Sequence, residues 1–208
     1  MLLLLSACSL DEVSIVEGPH CAPEVLGYVV EALDGDTIKV ITASDLGFGG
    51  ETVVDDTGDD GGVAAGDGDL HVLTVRMLGV DAPEIAHDAS EVADCYGVEA
   101  ENFTRGTLLN RQVLLSFDRT CVDAYDRALA YVFLTNEPGT FDLTGCEAGD
   151  CTLPSSTGGA VVLFDDMIIR SGYARVYEEF DNIRLADVLY ASQDAAMANN
   201  LGLWATCE

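Results

Sequence analysis

Three short segments carry side chains from which a reaction could be assembled: Asp34-Gly35-Asp36-Thr37, Arg76-Met77-Leu78-Gly79-Val80-Asp81-Ala82-Pro83-Glu84 and Tyr125-Asp126-Arg127-Ala128-Leu129-Ala130-Tyr131. Their working groups are carboxylates and guanidiniums. Carboxylate and carbonyl oxygens are hard ligands of the kind calcium prefers. A carboxylate beside a cation can orient or deprotonate a water molecule. Guanidinium groups grip the non-bridging oxygens of a phosphate through paired, planar hydrogen bonds, which strengthen as charge builds in a five-coordinate transition state. Lysine substitutes poorly in that role. Taken singly, each segment is ordinary: a hairpin turn, a strand exit at Pro83, a surface or salt-bridged arginine. Chemistry requires a fold that brings the three together.

The elements that could do so are legible. Residues 26–33 and 37–42 are apolar, β-branched runs broken by Asp34-Gly35-Asp36, which predicts strand, turn, strand. Strands are also expected over residues 70–78, 112–117 and 128–134, and a helix over 99–109. Asp165 is a candidate cap for a short helix running through Arg170 and stopping at Gly172. In the last helix Leu185, Val188, Leu189, Ser192, Ala195 and Ala196 share one face, with Asp181 as its cap and Gly202 beyond its end. Strands come early and helices interleave late, the order of a small β-barrel with packed helices. Residues 1–24 read as a leader and linker, and 25–208 as one domain. Two polar stretches interrupt that domain: 45–69, acidic and glycine-rich without Lys or Arg, and 135–160, which holds Cys146 and Cys151. Both read as solvated loops.

Composition sets limits. With 208 residues, one domain with insertions is expected rather than two cores. An apolar content of 49% and a mean hydropathy of +0.22 supply a core and exclude general disorder. The net charge of −28 excludes a protein that holds nucleic acid by a broad basic face, since its 9 basic residues are Lys39 and eight arginines. Any phosphate chemistry must be local.

In this order, with Cys95-Tyr96-Gly97-Val98-Glu99-Ala100 between the second and third segments, the chain closely resembles the staphylococcal nuclease family from about Leu26 to the Leu203-Trp204 ending. The resemblance implies a β-rich α+β fold, a five-stranded OB-type Greek-key barrel with about three packed helices. It implies calcium-dependent hydrolysis of DNA or RNA phosphodiesters with little sequence selectivity, on single-stranded or unpaired substrate. Carried over by position, Asp36, Asp81 and the backbone carbonyl of Ala82 match the calcium ligands, and Arg76, Glu84 and Arg127 match the catalytic trio. Tyr125 matches a tyrosine near the nucleotide's terminal phosphate, and Tyr177 is the candidate for an aromatic that stacks on the base.

The departures matter. Ala82 stands where the family often has Thr, Ala124 where Lys is common, and Asp126 where Gly is usual. A basic substrate contact is lost and a negative charge is added beside Arg127. Those losses and the acidity keep a second reading open, a non-catalytic nucleic-acid- or protein-binding module on the same fold. A third reading makes the Asp-rich insertion a calcium-gathering device, although residues 55–60 lack EF-hand spacing.

Residues 1–5 are apolar and run into Leu5-Ser6-Ala7-Cys8, the small-residue pattern of a bacterial lipoprotein cleavage box. Cys8 is therefore the expected acylation site of an exported, monomeric envelope protein, membrane-anchored or secreted; an ordinary apolar N-terminus is the competing reading. The other cysteines, Cys21, Cys95, Cys121, Cys146, Cys151 and Cys207, are an even set suited to three disulfides. Their order suggests Cys146–Cys151, Cys95–Cys121 and Cys21–Cys207, one of fifteen connectivities. A zinc site is disfavoured, because no CxxC pair occurs and His20, His71 and His87 lack ligand spacing.

Overall fold

The computed structural model describes residues 21–53, 70–86, 91–135, 152–154, 160–177 and 184–207. Strand β1 (Val25–Ala32) turns through Asp34–Asp36 into β2 (Thr37–Thr42), and the two pair antiparallel. Strict alternation along β1 would carry Glu31 inward after Val25, Gly27 and Val29. An irregularity between Val29 and Glu31 resets the phase, so Ala32 is buried and Glu31 reaches out to Lys39 at 2.7 Å. Strand β3 (Gly50–Val53) is followed by β4 (Leu70–Met77), which lies antiparallel to β2 with Arg76 opposite Thr37. The short β5 (Val80–Asp81) follows Gly79. Helix α1 (Gly97–Leu108) leads to β6 (Gln112–Ser116), antiparallel to β1, and then to β7 (Ala128–Leu134), antiparallel to β6.

Strand β7 also pairs parallel with β4, Val75 opposite Ala128 and Arg76 opposite Leu129, so β4, β2, β1, β6 and β7 form a closed five-stranded barrel of mixed direction. Val29, Ile38, Val40, Val75, Leu115 and Phe133 fill its core without exposure. Helix α2 (Phe164–Arg170) and helix α3 (Ala186–Ala198) pack on each other, and the one-turn α4 (Leu203–Thr206) ends beside Cys207. On α3 Val188, Leu189, Ser192 and Ala196 are buried, as the spacing predicts.

Three expectations change. The insertions are not wholly loop. Strand β3 pairs along β4, and β8 (Thr152–Pro154) and β9 (Ala160–Leu163) extend the sheet beyond β7. The closing strand β7 pairs only with Val75–Met77 of β4, so the polar backbone groups of the earlier half of that edge are open, and β3 takes them. Next, Asp165 does not cap α2. Leu163 is the N-cap, and the Asp165 carboxyl turns inward, where its Oδ2 accepts the Val132 N–H at 2.8 Å.

Finally, the disulfides are Cys21–Cys121 and Cys95–Cys207, not Cys95–Cys121 and Cys21–Cys207. Pairing of β1 with β6 brings the start of the domain against the exit of β6, where the Cys21 N–H donates to the Asp118 carbonyl at 2.8 Å and Cys121 lies within reach. The end of α4 meets the turn before α1 instead. Cys8, Cys146, Cys151, His20, His87, Asp181 and the Asp-rich run 55–60 lie outside the described residues. No helix among those described is long and apolar enough to cross a membrane.

Candidate active site

The site lies where β4 and β7 run parallel at the end of the barrel that carries the β1–β2 turn. In a parallel pair, residues at matched register share a face. Leu129 lies opposite Arg76, so Arg127, two residues before Leu129, falls on the same face as Arg76. The two guanidiniums also feel each other electrostatically. Burial pulls Arg76 below the usual arginine value and Asp34 opposes that pull; Arg127 lowers it further, while Asp81 and Glu84 raise it. Asp34, Asp81, Glu84 and Arg127 thus all lie within electrostatic reach of one buried side chain.

Asp36 is buried and densely partnered. Its carboxylate pairs with the Arg76 guanidinium, accepts the Thr37 hydroxyl at 3.1 Å and accepts the Ala82 N–H at 2.8 Å. Its main-chain carbonyl accepts the Met77 N–H at 2.9 Å, tying the β1–β2 turn to β4. Asp81 reaches the same guanidinium, Oδ1 to Nη2 at 3.9 Å, with its side chain half exposed. Gly35 is required for this approach, since a Cβ there would stand 2.4 Å from the Ala82 Cβ. Asp34, half-buried, accepts the Asp36 N–H at 2.9 Å and so fixes the turn. Burial raises the Asp34 carboxyl above the ordinary aspartate value, with Arg76 and the Thr37 hydrogen bonds pulling the other way. Glu84 is exposed, and with Asp81, Ala82 and Pro83 it lines a cavity of about 270 Å³.

Arg127 is held from behind. Its Nε donates to Asp123 Oδ2 at 2.7 Å, while Asp123 Oδ1 accepts the N–H groups of Arg127 and Tyr125, each at 2.9 Å. Burial works against the Asp123 charge, yet those hydrogen bonds outweigh it and leave the carboxyl below its ordinary value. Among the described residues no partner engages the terminal nitrogens of Arg127. Each arginine also has an aromatic face: the Tyr125 ring centroid lies 5.5 Å from Arg127 Cζ, and that of Tyr177 5.7 Å from Arg76 Cζ. Tyr125 is 82% exposed, open to an incoming ligand.

Asp36, Asp81 and Ala82 are therefore gathered beside Arg76, and Glu84 and Arg127 border them. The sequence reading missed two contributors, Asp34 and Asp123. Asp34 stands inside the turn motif, and Asp123 precedes Arg127 by four residues, but neither carries a signal apart from the folded loop. For a cation, the donor set is chemically suitable: two carboxylates 45 residues apart converge on one positive group, and a cation is drawn to the same oxygens. Among the described residues no group of three or more His, Cys, Asp or Glu side chains could hold a metal. A bound ion would rest on Asp36, Asp81, the Ala82 carbonyl and oxygens of water or ligand, a hard-oxygen set suited to calcium.

A family model described as Staphylococcal nuclease homologue matches residues 74–206. A stretch of 63 residues is 46% identical to "Thermonuclease" of Staphylococcus intermedius, covering 30% of this chain and 37% of that protein. Another of 78 residues is 41% identical to "Thermonuclease" of Staphylococcus hyicus, covering 38% and 46%. Over 137 residues the chain is 32% identical to "Probable endonuclease lcl3" of Aspergillus niger, covering 64% and 43%. The chain thus spans less than half the length of each of these relatives. The family model covers more than half of the chain and takes in the end of β4, β7 and the helices that support them. The chain belongs to the staphylococcal nuclease homologue family.

Proposed function

We propose that this protein is a nuclease that hydrolyses phosphodiester bonds of DNA or RNA with calcium as its metal and little sequence selectivity. The observation that carries the reading is the meeting of Arg76 and Arg127 across β4 and β7, beside Asp36, Asp81 and Glu84. Asp36, Asp81 and the Ala82 carbonyl would hold the ion, which when bound would supply charge neutralisation at the phosphate.

The remaining steps belong to the chain's own groups. Glu84, exposed at the cavity mouth, orients a water and receives its proton as the new phosphorus–oxygen bond forms and the ester bond breaks. The leaving oxygen takes its proton from solvent. Arg127 offers its terminal nitrogens to the non-bridging oxygens, and Asp123 fixes their direction. Arg76 supplies charge from a low-dielectric position, where it counts for more than in water. The exposed Tyr125 ring offers a stacking face to an unpaired nucleotide.

Two disulfides suit an oxidising compartment, so we place the protein outside the cytoplasm. Cys8 is the proposed lipid attachment point and the chain acts as a monomer. A calcium titration with single-stranded DNA and RNA tests the assignment. The parent chain should degrade nucleic acid with calcium and stop with chelator, and Glu84→Gln or Arg127→Ala should lose at least 100-fold in kcat, roughly the cost of removing one transition-state contact. Calorimetric oligonucleotide binding without turnover would instead favour the binding-module reading.

A further inference from the structure

The two disulfides lie outside the hydrogen-bonded ladders that close the barrel. The barrel is closed by continuous hydrogen-bonded ladders and filled by a fully buried apolar core. Neither disulfide joins two barrel strands. Each instead lies directly behind one of the two loops that carry the site.

Cys95 precedes α1 in the turn that holds the Glu84 loop. The neighbouring Asp94 donates its N–H to the Glu84 carbonyl at 2.9 Å, and the Gly97 N–H closes the turn on the Asp94 carbonyl at 3.0 Å. The first residue of α1 presses on the same loop, since a Cβ at Gly97 would stand 2.3 Å from the Glu84 carbonyl oxygen. Across the cavity floored by that loop, Cys207 ends α4, which is itself anchored: the Leu203 N–H donates to the Gly172 carbonyl at 2.8 Å and Leu203 is buried. A path of one disulfide and one hydrogen bond therefore runs from the packed helices through Cys207, Cys95 and the Asp94 N–H to the backbone that carries Glu84.

Cys121 opens the hairpin that carries Arg127. Its carbonyl accepts the Leu129 N–H at 2.7 Å, Val122 bridges Ala128, and the Asp123 N–H donates to the Arg127 carbonyl at 3.1 Å. Cys21, just before β1, clamps this hairpin from the other side. In both cases the sulfur bridge ends one or two residues from a contact that positions a site residue.

We infer that Cys95–Cys207 and Cys21–Cys121 are positioning staples, the first for Glu84 and the second for Arg127, and that each sets catalytic geometry independently of the other. The inference deepens the nuclease reading and rests on it for its kinetic arm. Its test is a crossed set of variants, Cys95→Ser with Cys207→Ser and Cys21→Ser with Cys121→Ser, each pair also placed on Glu84→Gln and Arg127→Ala backgrounds and assayed well below its melting temperature. Removing Cys95–Cys207 should lower kcat about tenfold or more with KM within twofold, and should cost nothing further on Glu84→Gln while still costing the full amount on Arg127→Ala. Removing Cys21–Cys121 should show the mirror image. Losses that multiply on every background, or no loss, would overturn the inference.

Hydrogen exchange gives a readout free of activity. The Asp94 amide should lose protection when Cys95–Cys207 is removed, and the Asp123 amide when Cys21–Cys121 is removed, while the β2–β4 ladder keeps its protection. Uniform loss, or a pair of substitutions that unfolds the chain, counts against local staples. A parent chain with no nuclease activity would sink the function reading alone, and the exchange pattern would still decide whether the disulfides act locally.

Discussion

Asp126 lies in the left-handed region at φ 62°, one residue before Arg127. Only glycine adopts that conformation freely, which accounts for the glycine usual there in the family. Asp126→Gly should therefore stabilise the hairpin by roughly 1 kcal/mol or less and remove a negative charge from the approach to Arg127. The measurable outcome is a lower KM for oligonucleotide with kcat little changed, and a raised KM would refute the argument. Asp123 makes the complementary case. Its folded carboxyl sits below the ordinary value, so its contribution to stability is complete above that value and disappears as pH falls through the lowered one. Asp123→Ala should leave Arg127 unaimed and reduce kcat on the order of 10- to 100-fold, as loss of a supporting partner typically does. A pH–rate profile for parent and variant checks it, because the parent alone should show the acid-side loss attributable to this carboxyl.

Helix α2 buries two adjacent carboxyls, Asp165 and Asp166, both without exposure. Asp166 Oδ1 accepts the Ser192 hydroxyl from α3 and Oδ2 faces Arg170 at 3.6 Å, while among the described residues neither Asp166 Oδ2 nor Asp165 Oδ1 has a hydrogen-bond partner. Burial drives the Asp165 carboxyl well above the aspartate value. The unfolded chain releases this proton near the ordinary value and the folded chain holds it. Stability from this group is therefore greatest at acid pH and falls as pH rises through the window between the two. Asp165→Asn keeps the shape and the acceptor for the Val132 N–H without the ionisation, so it should raise Tm at pH 7 by a few degrees. The gain should shrink toward pH 4, and calorimetry across that range would show a flat difference if the account were mistaken.

This element also marks where sequence reading stops. An Asp at the start of a helix pattern predicts a cap, but α2 leaves β9 without a break, and the carboxyl faces the core. Barrel strands were legible because their apolar runs, β-branched in β1 and β2, end at turn or polar residues; β2 and β7 fall where those runs put them. Strand β3 was not, because an edge strand in a glycine- and acid-rich stretch carries little apolar signal. Within the site, Asp36, Arg76, Asp81 and Arg127 could be nominated because their segments, taken together, resemble the family's pattern. Asp123, whose work is visible only once the hairpin closes, was not. Disulfide partners likewise depend on which strand ends meet, and order along the chain does not encode that.

At the scale of the whole molecule, a net charge of −28 opposes the approach of a polyanion. Added salt shortens the Debye length to roughly 8 Å near physiological ionic strength and relieves that repulsion. KM for oligonucleotide should therefore fall as monovalent salt rises from low values at saturating calcium, the reverse of the usual dependence of a basic nucleic-acid-binding protein. A steady rise in KM over that range, measured at fixed free calcium, would show that a local positive field overrides the global charge.

The parallel seam between β4 and β7 is both the last edge that closes the barrel and the contact that sets Arg76 beside Arg127. These residues are 51 positions apart, and among the described residues the strand pairing is what sets them side by side. Until that seam forms, Asp36, Arg76 and Asp81 can already be gathered by the β1–β2 turn and β4, but Arg127 is missing from their side. Under the proposed function, activity arrives only when that seam has formed.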